Sequence, residues 1–239
     1  MDDQRAVPAQ ASTPPPLLTT AEAAAYWDDR HRQQDDLRSG GHIGLDHAAN
    51  EMFYARRLGT LLEITGDEES RTEPLFVLDA GCGKGYFARA LARCGHRVDA
   101  IDASPSAIRY CASASGGADT PSAGNASPPP RWAVSSLADW TNGGLYDVVY
   151  SIDVFFHILD DAAWASSLAN LASLVRYGGM LVVTDEDCPQ RRRLGRYILH
   201  RPADEYITLL ARRGLTHLEF RPYRFRDNLI GFHVFARTH

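Results

Sequence analysis

A doubly wound α/β sheet is the fold class this sequence predicts, and three observations carry that reading. First, Phe76-Val77-Leu78-Asp79-Ala80-Gly81-Cys82-Gly83-Lys84-Gly85 reads as a buried strand running straight into a glycine turn. Second, Val98-Asp99-Ala100-Ile101-Asp102 follows at the distance of one βαβ unit and ends in an acid. Third, strand-like and helix-like segments alternate along most of the chain, the pattern of a mainly parallel sheet covered by helices.

The elements follow in order. Residues 1–19 are rich in Ala, Pro, Ser and Thr without periodicity, a composition that predicts a disordered tail. Thr20 is placed to cap a helix over 21–29, with Ala23, Tyr26 and Trp27 on its apolar side. Gly40-Gly41 interrupts the chain, and a second helix is expected over 46–64 with Phe53, Leu58, Leu61 and Leu62 near one stripe. Beyond these come a strand at 75–80, a helix at 85–94, a strand at 97–102, a helix at 104–114, strands at 131–135 and 146–152, a helix at 160–176 and a strand at 179–185. Residues 202–213 read as a further helix stopped by Gly214. Segments 216–224 and 229–238 then form two strands around Arg226-Asp227-Asn228, an antiparallel hairpin. From 112 to 130 the composition falls to Ser, Gly, Ala, Pro and Asn, which reads as a disordered surface insertion because it carries no aromatic anchor.

The glycine turn narrows the ligand. A dinucleotide site requires G-x-G-x-x-G so that the pyrophosphate lies on the helix N-terminus, and Tyr86 occupies the place of the third glycine. The pattern is instead D-x-G-x-G-x-G, which clears Cβ atoms from one side of the turn and lets a ligand lie on bare backbone. Asp79 at the strand end can pair with an ammonium or anchor the loop. The two oxygens of Asp102 suit the two hydroxyls of a ribose that lacks a 2′-phosphate.

The segment from Val77 to Gly85, followed by Ala100-Ile101-Asp102-Ala103-Ser104, resembles the class I S-adenosylmethionine-dependent methyltransferases. The likeness covers the chain from about residue 22 to its end. Tyr146 to His157 is similar to that family's fourth-strand motif, and Val175-Arg176-Tyr177-Gly178-Gly179-Met180 to its Leu-Lys-Pro-Gly-Gly step before an apolar strand. The resemblance implies a Rossmann-like, doubly wound, mainly parallel seven-stranded sheet with a C-terminal antiparallel hairpin and an N-terminal helical lid. It divides the chain into a tail at 1–19 and one methyltransferase domain at 20–239, with the lid at 20–70 and a flexible insertion at 112–130.

The same resemblance implies a site. Asp79, Gly81, Cys82 and Gly83 would cradle S-adenosylmethionine, with Cys82 a small residue inside the turn and Gly85 serving helix packing, while Asp102 and Ala103 would lie at its ribose. Ser136 stands where the family carries an acid for the adenine amino group; its hydroxyl can accept one hydrogen bond, Leu137 would pack on the adenine face, and Asp139 reads as a loop or helix-cap acid. Ser151 would lie beside the sulfonium. Asp153 and His157, four residues apart, share a face if the chain turns helical there, and either can take a proton from the acceptor, with His157 the base suited to neutral pH. The alternative for His157 is ordinary packing at a helix start.

The lid segment gathers Tyr26, Trp27, Arg30, His31, His42, His47, Asn50, Tyr54 and Arg57. In similar methyltransferases a Tyr or Arg of such a segment meets the amino-acid end of the cofactor, a role assigned here to Tyr54; the alternative is an amphipathic helix pair with an aromatic core. No metal site emerges, since Asp185-Glu186-Asp187 reads as a solvated loop. Arg191-Arg192-Arg193 with Arg196 reads as a solvated helix face before an anion site.

At 239 residues and 44% hydrophobic content, one domain with appendages is expected. A net charge of −5, spread along the chain, argues against a nucleic-acid partner. Cys82, Cys94, Cys111 and Cys188 form no C-x-x-C pair, which fits a reducing compartment. No basic segment precedes an apolar one at the N-terminus, and no apolar run approaches the roughly 18 residues that span a bilayer, so a cytoplasmic protein without a membrane partner is expected. Lys84 is the only lysine, a bias of a GC-rich bacterial genome before a sign of function. The expected function is methyl transfer from S-adenosylmethionine to an O, N or C atom of a small-molecule acceptor in bacterial secondary metabolism, with a homodimer as the candidate assembly. The alternatives are a non-methylating S-adenosylmethionine enzyme such as a cyclase, and a catalytically inactive binding module.

Overall fold

A computed structural model of the chain describes residues 15–34, 36–66, 73–114 and 128–238. The expected tail up to residue 14 and the expected insertion from 115 to 127 lie outside the described residues.

Three helices precede the sheet: α1 (Thr20–Gln33), α2 (Asp36–Gly40) and α3 (His47–Thr65). Thr19, not Thr20, caps α1. Its hydroxyl accepts from Glu22 N at 3.3 Å while Glu22 Oε2 accepts from Thr19 N at 2.8 Å, a reciprocal box that requires the acid three residues on. Residues 15–19, expected as tail, are tied down: Leu18 N donates to the Arg196 carbonyl at 2.9 Å and Arg196 Nε donates to the Pro16 carbonyl at 3.1 Å. Asp46 caps α3, accepting from Ala49 N at 2.7 Å.

The sheet alternates with its helices as β1 (Phe76–Ala80), α4 (Tyr86–Arg93), β2 (Arg97–Asp102), α5 (Pro105–Ala114), β3 (Arg131–Val134), β4 (Tyr146–Ser151), α6 (Asp161–Ser173) and β5 (Val175–Glu186). A small hairpin of β6 (Arg192–Leu194) and β7 (Ile198–His200) follows, then α7 (Ala203–Ala211), β8 (Leu215–Pro222) and β9 (Ile230–Arg237). The seven-stranded order is β3-β2-β1-β4-β5-β9-β8; β1 to β5 run parallel and β9 is antiparallel to both its neighbours. The order reverses direction between β1 and β4, so a crevice opens where their carboxyl ends part.

Burial on both faces explains the continuous apolar runs of the strands. Val77, Val148 and Tyr150 pack with Phe53, Leu61, Phe87 and Leu91 of α3 and α4. Their neighbours Leu78 and Val149 point the other way, onto Trp164, Leu168 and Leu171 of α6 and Tyr206 and Leu210 of α7.

Three expectations are corrected. First, α6 ends at Ser173 and β5 begins at Val175, because Val175 pairs with Tyr146 before a register shift. Second, Asp185 and Glu186 are no solvated loop. They are 0% and 3% exposed at the end of β5, where Asp185 accepts from His200 Nδ1 and Tyr206 Oη, each at 2.6 Å, and Glu186 pairs with Arg192. Third, the arginine run is the β6 arm of the hairpin: Arg192 is consumed by Glu186, and Arg191 is paired with Asp161 and Glu205.

Candidate active site

A cavity of about 480 Å³ opens at the carboxyl ends of β1, β2 and β4, with Thr20, Ala23, Ala24, Trp27 and His31 of α1 closing over it. That volume suits a drug-sized ligand. The turn after β1 forms its floor. Gly81 N and Cys82 N both donate to the Ile101 carbonyl, at 2.8 and 2.9 Å, and Gly85 N donates to the Cys82 carbonyl at 2.8 Å. Gly81 has φ +88°, and a Cβ there would collide with Val154; a Cβ on Gly85 (φ +75°) would strike the Trp132 ring, so Gly85 serves packing.

Two acids flank the floor. Asp102 Oδ2 accepts from Gly83 N at 2.9 Å and Oδ1 from Ser104 N at 2.8 Å, which aims the carboxylate along the cavity edge. Asp79 is 2% exposed, and burial pushes its carboxyl up to about 7. Its Oδ2 and the Tyr150 hydroxyl face one another, yet neither has a hydrogen-bond partner of ordinary geometry.

The cavity wall also carries a cation. Arg57 of α3, 1% exposed, is stacked 3.9 Å from the Phe53 ring and 4.3 Å from the Tyr54 ring, and its Nη1 pairs with Asp153. Among the described residues its Nη2 is buried with no hydrogen-bond partner. Tyr54 beside it is pushed up to about 12 by burial, so its hydroxyl stays protonated.

Asp153 follows β4 in a left-handed conformation, φ +57°. Besides Arg57, its carboxylate accepts from Tyr223 Oη at 2.8 Å and Thr184 Oγ1 at 3.3 Å. Three donors thus hold this carboxylate among the described residues. It does not share a helical face with His157, since only a single 3-10 turn, Phe155–His157, follows.

His157 lines the cavity with its Nδ1 2.8 Å from the Tyr197 carbonyl and its ring 4.5 Å from that of Trp27. Burial drives its pKa down to about 3, so the imidazole is neutral.

At the far end, Ser136 Oγ donates to Asp139 Oδ2 at 2.6 Å and accepts from Asp139 N at 3.2 Å. Asp139 therefore joins Ser136 and Leu137 on the cavity wall. Asp79, Gly81, Cys82, Gly83, Asp102, Ala103, Ser136, Leu137, Tyr54, Asp153 and His157 all come together around this one space. Ser151 does not. It is fully buried, its hydroxyl spent on the Ala80 carbonyl at 2.7 Å, which corrects its placement beside a ligand.

Sequence reasoning missed three contributors. Arg57 was one of many polar lid residues, and nothing local marks it as the buried one. Asp139 enters only through Ser136. Asp28 fastens the lid: it accepts from Ser104 Oγ at 2.7 Å, Ser106 N at 2.9 Å and Ser106 Oγ at 3.0 Å, and the bond from Ser104 leads in holding its carboxyl below the usual range.

A doubly wound sheet with a Gly-x-Gly-x-Gly floor, a strand-end acid and a helical roof defines a Rossmann-like protein with a site for a nucleoside-bearing cofactor. Residues 48–219 match the family model of a methyltransferase domain. The chain belongs to that family, the class I S-adenosylmethionine-dependent methyltransferases, and the family's cofactor is S-adenosylmethionine.

Among curated proteins the chain is similar to ubiquinone biosynthesis O-methyltransferases. It is 34% identical to that of Caulobacter vibrioides over 113 residues, 46% of this chain and 40% of the relative. For that of Rickettsia akari the figures are 30% over 145 residues, 60% and 52%. The chain spans about half the length of these relatives. Among solved structures it is similar to magnesium protoporphyrin IX methyltransferase of Synechocystis PCC 6803 with bound S-adenosylmethionine, at TM-score 0.67 and 19% identity, covering 90% of this chain and 97% of that one. For the 1,6-didemethyltoxoflavin-N1-methyltransferase of Burkholderia thailandensis the TM-score is 0.62 at 20% identity, covering 98% and 99%. No helix among the described residues is long and apolar enough to cross a membrane.

The residues present fit the family's cofactor. Its amino-acid end is a zwitterion, and of the three buried polar atoms on the cavity wall without a partner among the described residues, His31 Nδ1, Arg57 Nη2 and Asp79 Oδ2, the last two belong to groups of opposite charge.

Proposed function

We propose that this chain transfers the methyl group of S-adenosylmethionine to a small-molecule acceptor, as a single domain at 20–239 with 20–70 as its lid. The single observation behind this reading is the one cavity that Asp79, Arg57, Asp102, Trp27 and His157 line together. The cofactor, when bound, supplies an electrophilic methyl group on a positively charged sulfur.

The chain's own groups then have defined tasks. Arg57 holds a carboxylate, Asp79 an ammonium, Asp102 the ribose hydroxyls, and Ser136 with Asp139 the adenine amino group. Leu137 packs on the adenine. Because charge disperses in the transition state, a dry and aligned pocket does most of the work, and proximity supplies about 7–11 kcal/mol. Trp27 and α1 exclude water, and His157 faces the acceptor.

A compact lid of three helices suits a small acceptor, and we assign that acceptor to bacterial secondary metabolism; the names of the curated relatives point to ubiquinone biosynthesis as the other setting. Four free cysteines support a reducing, cytoplasmic location.

Calorimetric titration with S-adenosylmethionine and S-adenosylhomocysteine, with NAD as control, tests the reading. Saturable binding of the adenosyl ligands alone is expected, and an acceptor found by product mass should yield S-adenosylhomocysteine in equal amount. Binding of NAD, or of neither adenosyl ligand, overturns it.

A further inference from the structure

We propose that Tyr197 is a positioning residue whose carbonyl oxygen locks His157 in the tautomer carrying hydrogen on Nδ1, leaving the Nε2 lone pair to receive the proton of a hydroxyl acceptor. The proposal rests on the methyl-transfer reading above.

A carbonyl oxygen can only accept, so the 2.8 Å contact between His157 Nδ1 and Tyr197 O requires the hydrogen on Nδ1. In a neutral ring that leaves Nε2 as a bare acceptor, and among the described residues no partner takes it. Neutrality follows from the surroundings: burial outweighs the Tyr197 carbonyl, which favours a proton on the ring, and Arg30 and His200 act in the same direction as burial. The ring is clamped between Trp27 at 4.5 Å and Tyr197 at 5.9 Å, the latter stacked at 23°.

The tip that supplies this carbonyl is held from both sides. At its base, His200 Nδ1 is bound to Asp185 at 2.6 Å and Arg192 to Glu186, fixing the β6–β7 hairpin to the sheet. At its tip, the Tyr197 ring stacks on Tyr26 at 5.1 Å, and the Arg196 carbonyl accepts from Leu18 N, so the hairpin also holds the lid. One residue thus links closure of α1 to the orientation of His157.

The chemistry that follows selects the acceptor. Its oxygen attacks the methyl carbon; the O–C bond forms as the C–S bond breaks, the electron pair goes to sulfur, and the hydroxyl proton goes to His157 Nε2. The positive charge lost from sulfur ends on the imidazolium, which passes its proton to water when the cavity opens. A neutral Nε2 lone pair suits an acceptor that must lose a proton as it is methylated, as a hydroxyl does.

Nitrogen-15 NMR of His157 decides the matter, in the protein with S-adenosylhomocysteine and in Tyr197→Phe and Tyr197→Ala variants. Hydrogen on Nδ1 is expected in the wild type and in Tyr197→Phe, which keeps both ring contacts. In Tyr197→Ala, which keeps the carbonyl but loses the ring that holds the tip against Tyr26 and His157, the tautomers should mix and kcat on the mass-identified acceptor should fall about tenfold or more. Hydrogen on Nε2 in the wild type, an unchanged tautomer in Tyr197→Ala, or a product methylated on N or C overturns the proposal. Absence of S-adenosylhomocysteine binding would sink the methyl-transfer reading instead, because the tautomer is readable in the free protein as well.

Discussion

Arg57, buried on α3, is paired with Asp153 at the end of β4, and this pairing makes a left-handed loop acid into the anchor of the cavity's one orphaned guanidinium nitrogen. Tyr223 and Thr184 hold the same carboxylate from two further strands or their ends. The arrangement joins lid and sheet at the point where the cofactor's amino-acid end is assigned.

Asp153→Asn keeps a side chain that tolerates positive φ while removing the charge. It should strand a buried cation and cost about 3–5 kcal/mol, read as a lower urea midpoint at unchanged slope. A loss below about 1 kcal/mol would show the pair to be as weak as an exposed one.

Asp79 should make cofactor binding sensitive to pH. Its folded pKa, about 7, lies above its unfolded value, so its contribution to stability is complete below that unfolded value and disappears as pH rises through about 7. Asp79→Asn should flatten this part of the pH profile of the urea midpoint. An ammonium ligand favours the carboxylate, so the dissociation constant for S-adenosylmethionine should rise about tenfold per unit below pH 7. Calorimetry in buffers of different ionisation enthalpy should detect the released proton, and identical heats in all buffers would count against this role.

Asp28 fastens α1 to the start of α5 through three hydrogen bonds. Asp28→Ala should weaken S-adenosylhomocysteine binding by about 1–2 kcal/mol, mostly through faster dissociation. Stopped-flow displacement measures the rate; an unchanged off-rate means that α1 does not gate the site.

Gly81→Ala combines backbone strain with a collision against Val154. Loss of cofactor binding and a lower Tm are expected. Val154→Ala in the same background should recover the steric part and leave about 1–2 kcal/mol of strain. Gly143→Ala, at φ +77° with nothing near its Cβ, supplies the comparison for strain alone.

Most of the fold was legible because its signals are local. The apolar runs at 76–80, 97–102 and 146–151 report burial on both faces, and the glycines at 81, 83 and 85 report a turn that needs positive φ. The floor residues Asp79, Gly81, Gly83 and Asp102 were legible for the same reason, since their spacing places them on one sheet edge. The β6–β7 hairpin was not: three-residue strands rich in arginine carry no period, and only their pairing to Glu186 and Asp185 gives them structure.

By itself the sequence determined the sheet, its order of elements and the cofactor floor, because strand burial, glycine φ and strand-end acids depend on neighbours close in the chain. Only the tertiary structure decided which polar groups are spent and which are left for a ligand. Asp153 and Ser151 are consumed, Arg57 Nη2 and Asp79 Oδ2 are orphaned, and His157 is held by Tyr197. Those outcomes depend on partners 31 to 96 residues away, brought within hydrogen-bonding distance by packing that no local pattern encodes.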